Sequence, residues 1–549
     1  MTEYRGKSVF EGIAVGKLKI VRHDNAVAVH EQGTPEEERK KFYAAREKAV
    51  SELQSLYEQA LATVGESEAE IFSMHAMMTE DADLEDAVLA KIDAGEGAAQ
   101  AAEEAGFELS QTFIRMDDEY MRARAVDVID VAKRLSGYIL GKKEEEILLN
   151  EPSILASSDF TPSEVVKLDK SKVLGFVTTF GSETSHTSIL ARTLALPSVV
   201  NIRDSIDMPF DGKTCIVDGF TGKVIVDPGE ETLSLYLKKK AETDAARERR
   251  QALIGHKSVT QDGREVHIYC NVGNSEDVKA ALQNDGEGVG LLRSEFLYLE
   301  SEDYPSEEKQ YQEYSRAAKL LEGKLLVIRT MDIGADKQAS YFHLPHEENP
   351  ALGMRSVRIC MDRPEILYTQ LRAIYRASAD GNVAAMVPMI ISGAEVRWVR
   401  QMAEKVRVDL KKEGISFDEK MQIGIMIETP AAALIADELA KEADFFSIGS
   451  NDLIQYTLAA DRQNQSLEKF VDPHHKAVLR LIRYAAECAH AEGKWIGVCG
   501  ELARDLSLTE FFAACGIDEL SVSPPYVLPL REKLLSVNVS KTDLDKYTK

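Results

Sequence analysis

Six side chains with the chemistry to bind anions, bind metal ions or move protons follow short apolar runs in the second half of the chain: Arg293, Arg329, Glu428, Asn451, Asp452 and Cys499. The planar guanidinium group of an arginine binds a phosphate or a carboxylate through two parallel hydrogen bonds. The carboxylates of Glu428 and Asp452 are hard oxygen ligands, and Mg²⁺ takes one or two such ligands in proteins. Together, these side chains would form a site for a phosphorylated, anionic small molecule.

Each of these residues also has a structural explanation. The two arginines could pair with nearby acids such as Glu295 and Asp332, because an unpaired charge is expensive to bury beside an apolar run. Glu428 or Asp452 could be a helix cap or a first-turn acid. Cys499 could be a small buried hydrophobe, whereas beside a bound phosphate it would act as a proton donor or a nucleophile. The residue types alone leave these alternatives open.

A histidine in the first half of the chain, His186, lies in the segment GSETSHTSILART. Thr184 and Ser185 are good N-cap residues, and the apolar residues that follow predict a helix that begins at once. His186 would then lie in the first turn, where free backbone N–H groups and the helix dipole stabilise a phosphoryl group on the imidazole. The alternative is a histidine near a helix cap that has no chemical role.

The segments that end in the first six side chains alternate with helical segments. Eight short β candidates begin at Val266, Val289, Leu325, Val383, Ile423, Phe445, Trp495 and Glu519. Long helices are expected over 353–378, 393–412 and 474–491. Eight β/α units predict a (β/α)₈ barrel, in which the strand ends meet at one face, with a doubly wound open sheet as the alternative.

The first half of the chain has a different texture. Short strands over 1–21 and 146–230 predict an α/β domain, and successive amphipathic helices predict a helical bundle inserted into it over 22–145. The charged segment 231–254 predicts a connecting helix, and the barrel is expected to occupy 255–549.

The composition excludes several classes of function. Among 549 residues, 66 Lys and Arg oppose 92 Asp and Glu, so the formal net charge is −26, which would repel nucleic acid and anionic membranes. No C-x-x-C pattern, signal-like N-terminus or apolar run of about 18 residues is present, so we expect a cytosolic protein without membrane insertion. Neither a triphosphate-binding loop nor a dinucleotide fingerprint is supported.

Seven motifs resemble those of the PEP-utilising phosphotransferases in their usual order: TSHTSILAR, GLLRSEFLY, IRTMDIGADK, NPALGMR, GIMIETPAA, FFSIGSNDLIQYTLAADR and VCGELARD. Within that family they are most similar to the enzymes that start the bacterial sugar phosphotransferase system. Pyruvate phosphate dikinase and PEP synthase share these motifs but also carry an ATP-binding domain, for which this chain has neither the extra length nor a motif. The bundle segments AEIFSMHAMMTED and RAVDVIDVAKRL are similar to helices that dock the carrier protein HPr and to the segment after them.

The resemblance implies roles for the candidate residues. His186 would accept the phosphoryl group of phosphoenolpyruvate (PEP) and pass it to a histidine of HPr. Glu428 and Asp452 would bind Mg²⁺, and Cys499 would protonate the enolpyruvate to give pyruvate. Arg355 would line the same pocket. PEP itself would be held by polar side chains at the barrel mouth: Arg293, Arg329, Asn451, Asp452 and Arg462.

The resemblance also implies a homodimer formed through the barrel and a phosphohistidine domain that swivels between barrel and carrier. Three positions depart from the family pattern: Ser182, Gln463 and Arg504 each stand where glycine is usual. Two further hypotheses stay open. One is a stand-alone Mg²⁺-dependent PEP or oxoacid lyase or aldolase whose N-terminal half is merely regulatory. The other, which these departures motivate, is a non-catalytic PEP sensor that binds partners through its bundle.

Overall fold

The computed structural model describes residues 1–22, 33–63, 66–114, 119–141, 147–181, 186–194, 196–202, 204, 206, 208–334, 340–462 and 464–549. The chain divides into two compact units, Met1–Ala246 and Arg247–Lys549. Across these described ranges, every helix is too short or too polar to traverse a lipid bilayer.

Eight strands of the first unit form one mixed sheet: β1 (Thr2–Arg5), β2 (Lys7–Phe10), β3 (Ile13–Ile20), β4 (Ser153–Ser157), β5 (Val173–Thr178), β6 (Ser198–Val200), β7 (Thr214–Asp218) and β8 (Lys223–Val226). Their order across the sheet is β1-β8-β7-β3-β4-β5-β6-β2. Strands β3 to β6 run parallel, while β7 and β8 are antiparallel to their neighbours. The strand texture of 1–21 resolves into three strands, because the chain turns at Gly6 and again at Gly12, whose φ is 146°.

Five helices lie between β3 and β4 in the sequence: α1 (Pro35–Thr63), α2 (Glu66–Thr79), α3 (Ala82–Asp93), α4 (Ala98–Ile114) and α5 (Glu119–Ile139). Within this group α1 packs against α2, α3 packs against α4, and α4 and α1 both pack against α5. The apolar face of α1 is buried because its apolar residues recur at three- and four-residue steps: Phe42, Ala45, Ala49, Leu53 and Leu56. The predicted run of helices in this part of the chain is confirmed.

Two more helices belong to the first unit: α6 (Pro162–Lys167) and α7 (His186–Thr193). Helix α8 (Glu230–Gln251) contains the boundary between the first unit and the second. The described part of α7 starts at His186, and its presence confirms the helix predicted to follow this residue. The proposed capping residues Thr184 and Ser185 lie outside the described residues, as does Ser182.

The second unit is built on eight parallel strands: β9 (His267–Val272), β10 (Val289–Arg293), β11 (Leu326–Arg329), β12 (Val383–Val387), β13 (Ile423–Ile427), β14 (Phe445–Ile448), β15 (Trp495–Val498) and β16 (Glu519–Val522). Each strand pairs with the next, and β16 pairs with β9, so the sheet closes into a barrel. All eight predicted strands are present, and the closed barrel replaces the open-sheet alternative.

Helices pack around this barrel: α9 (Asp277–Gln283), α10 (Glu295–Leu299), α11 (Glu307–Leu320), α12 (Val357–Asp362), α13 (Pro364–Ala377), α14 (Gly393–Glu413), α15 (Pro430–Leu434), α16 (Ala436–Leu439), α17 (Ser450–Leu458), α18 (Lys476–Ala491), α19 (Thr509–Cys515), α20 (Val527–Leu534) and α21 (Asp545–Thr548). The single helix predicted over 353–378 is wrong. Pro364 lacks an N–H and forces Arg363 out of helical conformation, to φ −127° and ψ 77°, so α12 ends and α13 begins there.

The inside of the barrel is filled unevenly. We call one set of inward-facing residues the apolar side: Leu291, Val327, Ala384, Met386, Met426 and Phe445. Cys499 packs against this cluster from the carboxyl end of β15. The outward-facing residues of the strands pack against the surrounding helices in the large core of the unit.

Candidate functional site

The closed parallel barrel brings the candidate residues to one end. Arg293 and Arg329 are the last residues of β10 and β11, and Glu428 comes directly after β13. Asn451 and Asp452 lie in the first turn of α17, just after β14, and Cys499 comes directly after β15: all six therefore lie at the carboxyl ends of their strands, the end at which (β/α)₈ barrels carry out chemistry.

Arg329 is held in a buried network of acids. Its Nη2 donates to Oε1 of Glu295 at 2.8 Å, and its Nη1 lies 3.3 Å from Oδ2 of Asp332. Burial opposes the charge on Arg329, but Glu295 and Asp332 outweigh it and raise the pKa of the guanidinium group above its ordinary value. The structural pairing considered for this arginine is therefore real, and it fixes a permanent positive charge at the end of β11.

Arg355 continues the network toward the helix that carries Asp452. Its Nη2 donates to both oxygens of Asp332, at 2.9 and 3.1 Å, and its Nη1 lies 3.9 Å from Oδ1 of Asp452. Nη1 also donates to the hydroxyl of Tyr456 at 3.3 Å. Arg355 thus ties the strand ends of β11 and β14 together through charge.

Glu428 is an acid that is costly to ionise where it stands. It is 1% exposed, and burial together with the charges of Asp452 and Asp332 raises its pKa to about 8. Its Oε1 accepts a hydrogen bond from the backbone N–H of Met389 at 2.5 Å. Met389 adopts a left-handed φ of 59°, which is unusual for a residue with a side chain. A Cβ on Gly449 would lie 2.6 Å from Oε2 of Glu428, so the loop before α17 leaves room for this carboxylate only because residue 449 is glycine.

Asp452 has one engaged oxygen and one open one. Its Oδ2 accepts from Nη1 of Arg462 at 3.3 Å, whereas Oδ1 is buried and has no hydrogen-bond partner among the described residues. Arg462 is 47% exposed, so it could also reach a ligand from solvent. Asn451 is held in place because its Oδ1 accepts from the backbone N–H of Glu501 at 2.9 Å.

Glu428 and Asp452 together fit a divalent cation. The negative charge of Asp452 raises the cost of ionising Glu428, and the buried Oδ1 of Asp452 has no protein donor within hydrogen-bond distance among the described residues. A cation between them would remove both costs. Within the described part of the chain no group of three or more His, Cys, Asp or Glu could hold a metal, so this would be a two-carboxylate site completed by substrate and water.

Arg293 differs from the other arginines of the barrel end. It is exposed at the last position of β10, and no ion pair or hydrogen bond joins its side chain to any residue that the structure describes. A guanidinium group at the edge of a site that already holds paired arginines is available to an anionic ligand.

Cys499 carries a thiol that stays protonated. Its side chain is 4% exposed, and burial raises its pKa to about 12. Its Sγ donates to the carbonyl oxygen of Ile448 at 3.6 Å. A thiol that is not ionised at neutral pH is a poor nucleophile but can still give up a proton, so the environment favours the proton-donor alternative.

The first unit holds His186 at the start of α7, and the side chain of Thr187 anchors this turn by donating to Oδ1 of Asp159 at 2.9 Å. Of the three departures from the family pattern, Ser182 and Gln463 lie outside the described residues. Nε of Arg504 lies 2.7 Å from Oε2 of Glu501, and its Nη1 donates to the hydroxyl of Tyr526 at 3.2 Å. The Arg504 side chain is therefore paired at the surface.

Sequence reasoning missed the supporting residues. Tyr456, Met389 and Gly449 all contact the candidate residues, yet none has a reactive group at a strand end. Gly449 left the clearest signal, since a glycine between an apolar strand and a helix start often marks a close approach.

Three family models match the chain: "PEP-utilising enzyme, N-terminal" over 5–124, "PEP-utilising enzyme, mobile domain" over 149–222 and "PEP-utilising enzyme, PEP-binding domain" over 247–539. A phosphoenolpyruvate-protein phosphotransferase of Priestia megaterium is 39% identical over 548 residues, covering 99% of this chain and 95% of that protein. The protein of the same name from Haemophilus influenzae is 41% identical over 536 residues, covering 96% and 92%. A solution structure of Enzyme I (nEIt) shares 34% identity and covers 44% of this chain and 99% of that one, with a TM-score of 0.39.

Proposed function

Since the chain belongs to the family of phosphoenolpyruvate-protein phosphotransferases, we propose that it moves the phosphoryl group of PEP to its own His186 and then to a histidine of an HPr-type carrier, the first step of sugar uptake by the phosphotransferase system. The observation that supports this most is the grouping, at one end of the barrel, of paired arginines, an unpaired arginine, two acids and a protonated thiol.

PEP carries a phosphate and a carboxylate, and the barrel end offers guanidinium groups for both. Arg329 and Arg355 are fixed by acids, so their charges are already oriented before a ligand arrives. Arg293 and Arg462 are more exposed and can close on the ligand, with Asn451 as a further polar contact. In phosphoryl transfer, positioning and charge neutralisation supply most of the catalysis.

We assign Mg²⁺ to Glu428 and Asp452, because Mg²⁺ is commonly bound by one or two carboxylates plus substrate oxygens. When bound there, the cation would neutralise charge on the transferring phosphoryl group. The two acids hold it, Gly449 keeps the space for Glu428 open, and Met389 orients its carboxylate.

Cys499 completes the reaction of PEP. Loss of the phosphoryl group leaves enolpyruvate, and the S–H proton of Cys499 adds to its methylene carbon to give pyruvate. Because ketonisation is favourable, protonation draws the first transfer forward. The raised pKa of the thiol supports this role, since it keeps the proton on sulfur at neutral pH.

His186 must meet two partners in turn. It belongs to the first unit and the PEP site to the second, and the reacting atoms of a transfer must approach to about 3–3.5 Å. We therefore propose that the α/β domain of the first unit swivels between barrel and carrier. The carrier would dock on the bundle of α1 to α5, where Met77 of α2 is an exposed large hydrophobic residue.

The six unpaired, buried cysteines support a reducing compartment, the cytosol, and we expect a homodimer formed through the barrel.

Labelled PEP and Mg²⁺ incubated with the full chain test this proposal. Acid-labile, base-stable label is expected on the wild type and on His256→Ala, which replaces an exposed histidine elsewhere, and none on His186→Ala. A lyase or aldolase would consume PEP without any label and would tolerate His186→Ala. A PEP sensor would bind PEP and neither label itself nor release pyruvate.

A further inference from the structure

The inside of the barrel has a second set of residues, which the proposed function does not use. We call it the polar side: Asn271, Ser447, Glu519 and Ser521, together with Gly290 and Gly497. Along β16 the side chains alternate, and Leu520 and Val522 belong to the outer core, so Glu519 and Ser521 point inward. A glutamate inside a barrel core needs an explanation, because burying a carboxyl group is costly.

Glu519 is accommodated by two glycines. It is 2% exposed, and a Cβ on Gly497 of β15 would collide with its Oε2. A Cβ on Gly290 of β10 would lie 2.5 Å from its Oε1 and 2.7 Å from Oγ of Ser521. These two oxygens therefore flank one point inside the barrel.

No cation neutralises Glu519 within the described residues, since no salt bridge joins it to a Lys, Arg or His there. Burial, with a smaller contribution from Asp518, raises its pKa well above the ordinary carboxyl range, against the opposing effect of Ser521. Burial without a cationic partner therefore favours the protonated form of Glu519, which has a proton to give.

The polar side leads from Glu519 to Cys499. Four of its buried oxygens have no hydrogen-bond partner among the described residues: Oε1 of Glu519, Oγ of Ser521, Oγ of Ser447 and Oδ1 of Asn271. Nδ2 of Asn271 donates to the carbonyl oxygens of both Ser521 and Cys499, each at 3.1 Å. Ser447 and Glu519 pair in register with Gly497 from its two sides, and the Ser447 hydroxyl, although it makes no hydrogen bond of normal geometry, partly opposes the rise in the pKa of the Cys499 thiol.

We propose that Glu519 is an internal proton source that restores the thiol of Cys499 after each turnover, through ordered water held by Ser447, Asn271 and Ser521. Buried polar groups without protein partners are usually satisfied by such water. The inference rests on the proposed function, because it needs Cys499 to lose its proton to enolpyruvate. Glu519 is a positioning residue in this scheme, since it acts through Cys499 and does not touch substrate.

The step balances in atoms and charge. Cys499 gives its S–H proton to the methylene carbon of enolpyruvate, the new C–H bond forms as the S–H bond breaks, and a thiolate remains. The O–H proton of Glu519 passes along the water chain to the sulfur and leaves a carboxylate. That carboxylate then takes a proton from solvent, so each pyruvate consumes one solvent proton and no oxidant or reductant is needed.

Glu519→Gln tests the relay, because the amide keeps the size of the side chain but has no acidic proton. With PEP, Mg²⁺ and excess carrier, the variant should release a burst of about one pyruvate per site and then continue on the order of 10- to 100-fold more slowly than wild type. Its solvent deuterium isotope effect in the slow phase should rise, and Glu519→Asp should restore part of the rate. The infrared carbonyl absorption of buried carboxylic acids should be present in wild type and should decrease in Glu519→Gln by the contribution of one group.

Glu395→Gln is the matched control, since Glu395 is a buried glutamate that caps α14 outside the barrel interior. If Glu519→Gln is unstable, Ser521→Ala and Ser447→Ala take its place. Each should show a burst of pyruvate followed by slower release, with a smaller decrease in rate than that expected for Glu519→Gln. Sustained pyruvate release at the wild-type rate in these variants overturns the relay. If wild type itself neither labels His186 nor releases pyruvate, the proposed function fails and the relay fails with it, which separates the two outcomes.

Discussion

The two sides of the barrel interior are built from the same strands and the same alternation, yet they hold opposite chemistry. On the apolar side, side chains fill the space and touch one another, and Phe445 stacks on Trp495 with ring centroids 4.2 Å apart. On the polar side, two glycines open space around Glu519, and several oxygens have no partner among the described residues. Cys499 lies where the two sides meet.

This difference indicates that, within one barrel core, the apolar side contributes to stability and the polar side to chemistry. Filling a core with apolar groups stabilises a fold, whereas each buried polar group without a partner costs about 1–3 kcal/mol. The barrel can carry that cost because its apolar side and its outer helical layer are densely packed. Substitutions on the two sides should therefore change different measured quantities.

The largest expected effect is on the chemistry at the boundary. Cys499→Ala removes the proton donor, so pyruvate formation should slow on the order of 10²- to 10⁴-fold while His186 is still phosphorylated. Rapid-quench measurement of pyruvate and of labelled protein in the same samples checks this. Cys360→Ala is the control, because Cys360 is a buried thiol of α12, outside the barrel interior. Normal pyruvate formation by Cys499→Ala would remove the thiol from the mechanism.

The next effect concerns stability and belongs to the apolar side. Phe445→Ala should lower the free energy of unfolding by about 3–5 kcal/mol, because it leaves a cavity against Trp495 and Gly424. Denaturant unfolding measures this loss. The rate of pyruvate formation per folded molecule should change little, since the polar side is untouched. A rate loss comparable to that of Cys499→Ala would mean that the two sides do not act separately.

The smallest effect is a dependence of stability on pH that comes from the polar side. In the unfolded chain the carboxyl of Glu519 ionises near its ordinary value of 4.5, whereas burial raises its pKa in the folded protein well above this. The folded state then holds one more proton, so this group lowers the free energy of unfolding by about 1.4 kcal/mol per pH unit as pH rises above that value.

Glu519→Gln removes that slope. The stability of the variant relative to wild type should increase steadily between about pH 5 and about pH 7, as measured by denaturant unfolding at each pH. Glu395→Gln serves again as the control for replacing a buried glutamate. Parallel pH profiles for wild type and Glu519→Gln would show that Glu519 is ionised in the folded protein.

Much of the barrel end could be predicted from the sequence, because the barrel topology alone decides where the strand ends lie. Eight apolar runs separated by helices close into one parallel barrel, and closure carries residues as distant as Arg293 and Cys499 to the same face. The apolar residues after His186 predicted the helix that follows it, α7. The helix break at Pro364 could also be predicted from local rules, because proline disfavours helical conformation in the residue before it. The prediction of a single helix over 353–378 does not take this into account.

The rest depended on arrangements that sequence spacing does not encode. The bonds from Arg355 to Asp332 join residues on different loops, and only the fold brings them together. The sequence predicts Glu519 only as the first residue of a strand. In parallel strands that are buried on both faces, the usual alternation of polar and apolar residues is lost, so the sequence cannot say which face looks inward. The polar side could therefore not be predicted from the sequence and is identified only from the structure.

The burial of Cys499 has a consequence for the chemical durability of the protein. Oxidants and alkylating reagents attack thiolates far faster than thiols, and they need access to the sulfur. The sulfur that we assign to the transfer of a proton is shielded and remains un-ionised at rest. Peroxide should therefore spare the same cysteine that every turnover uses.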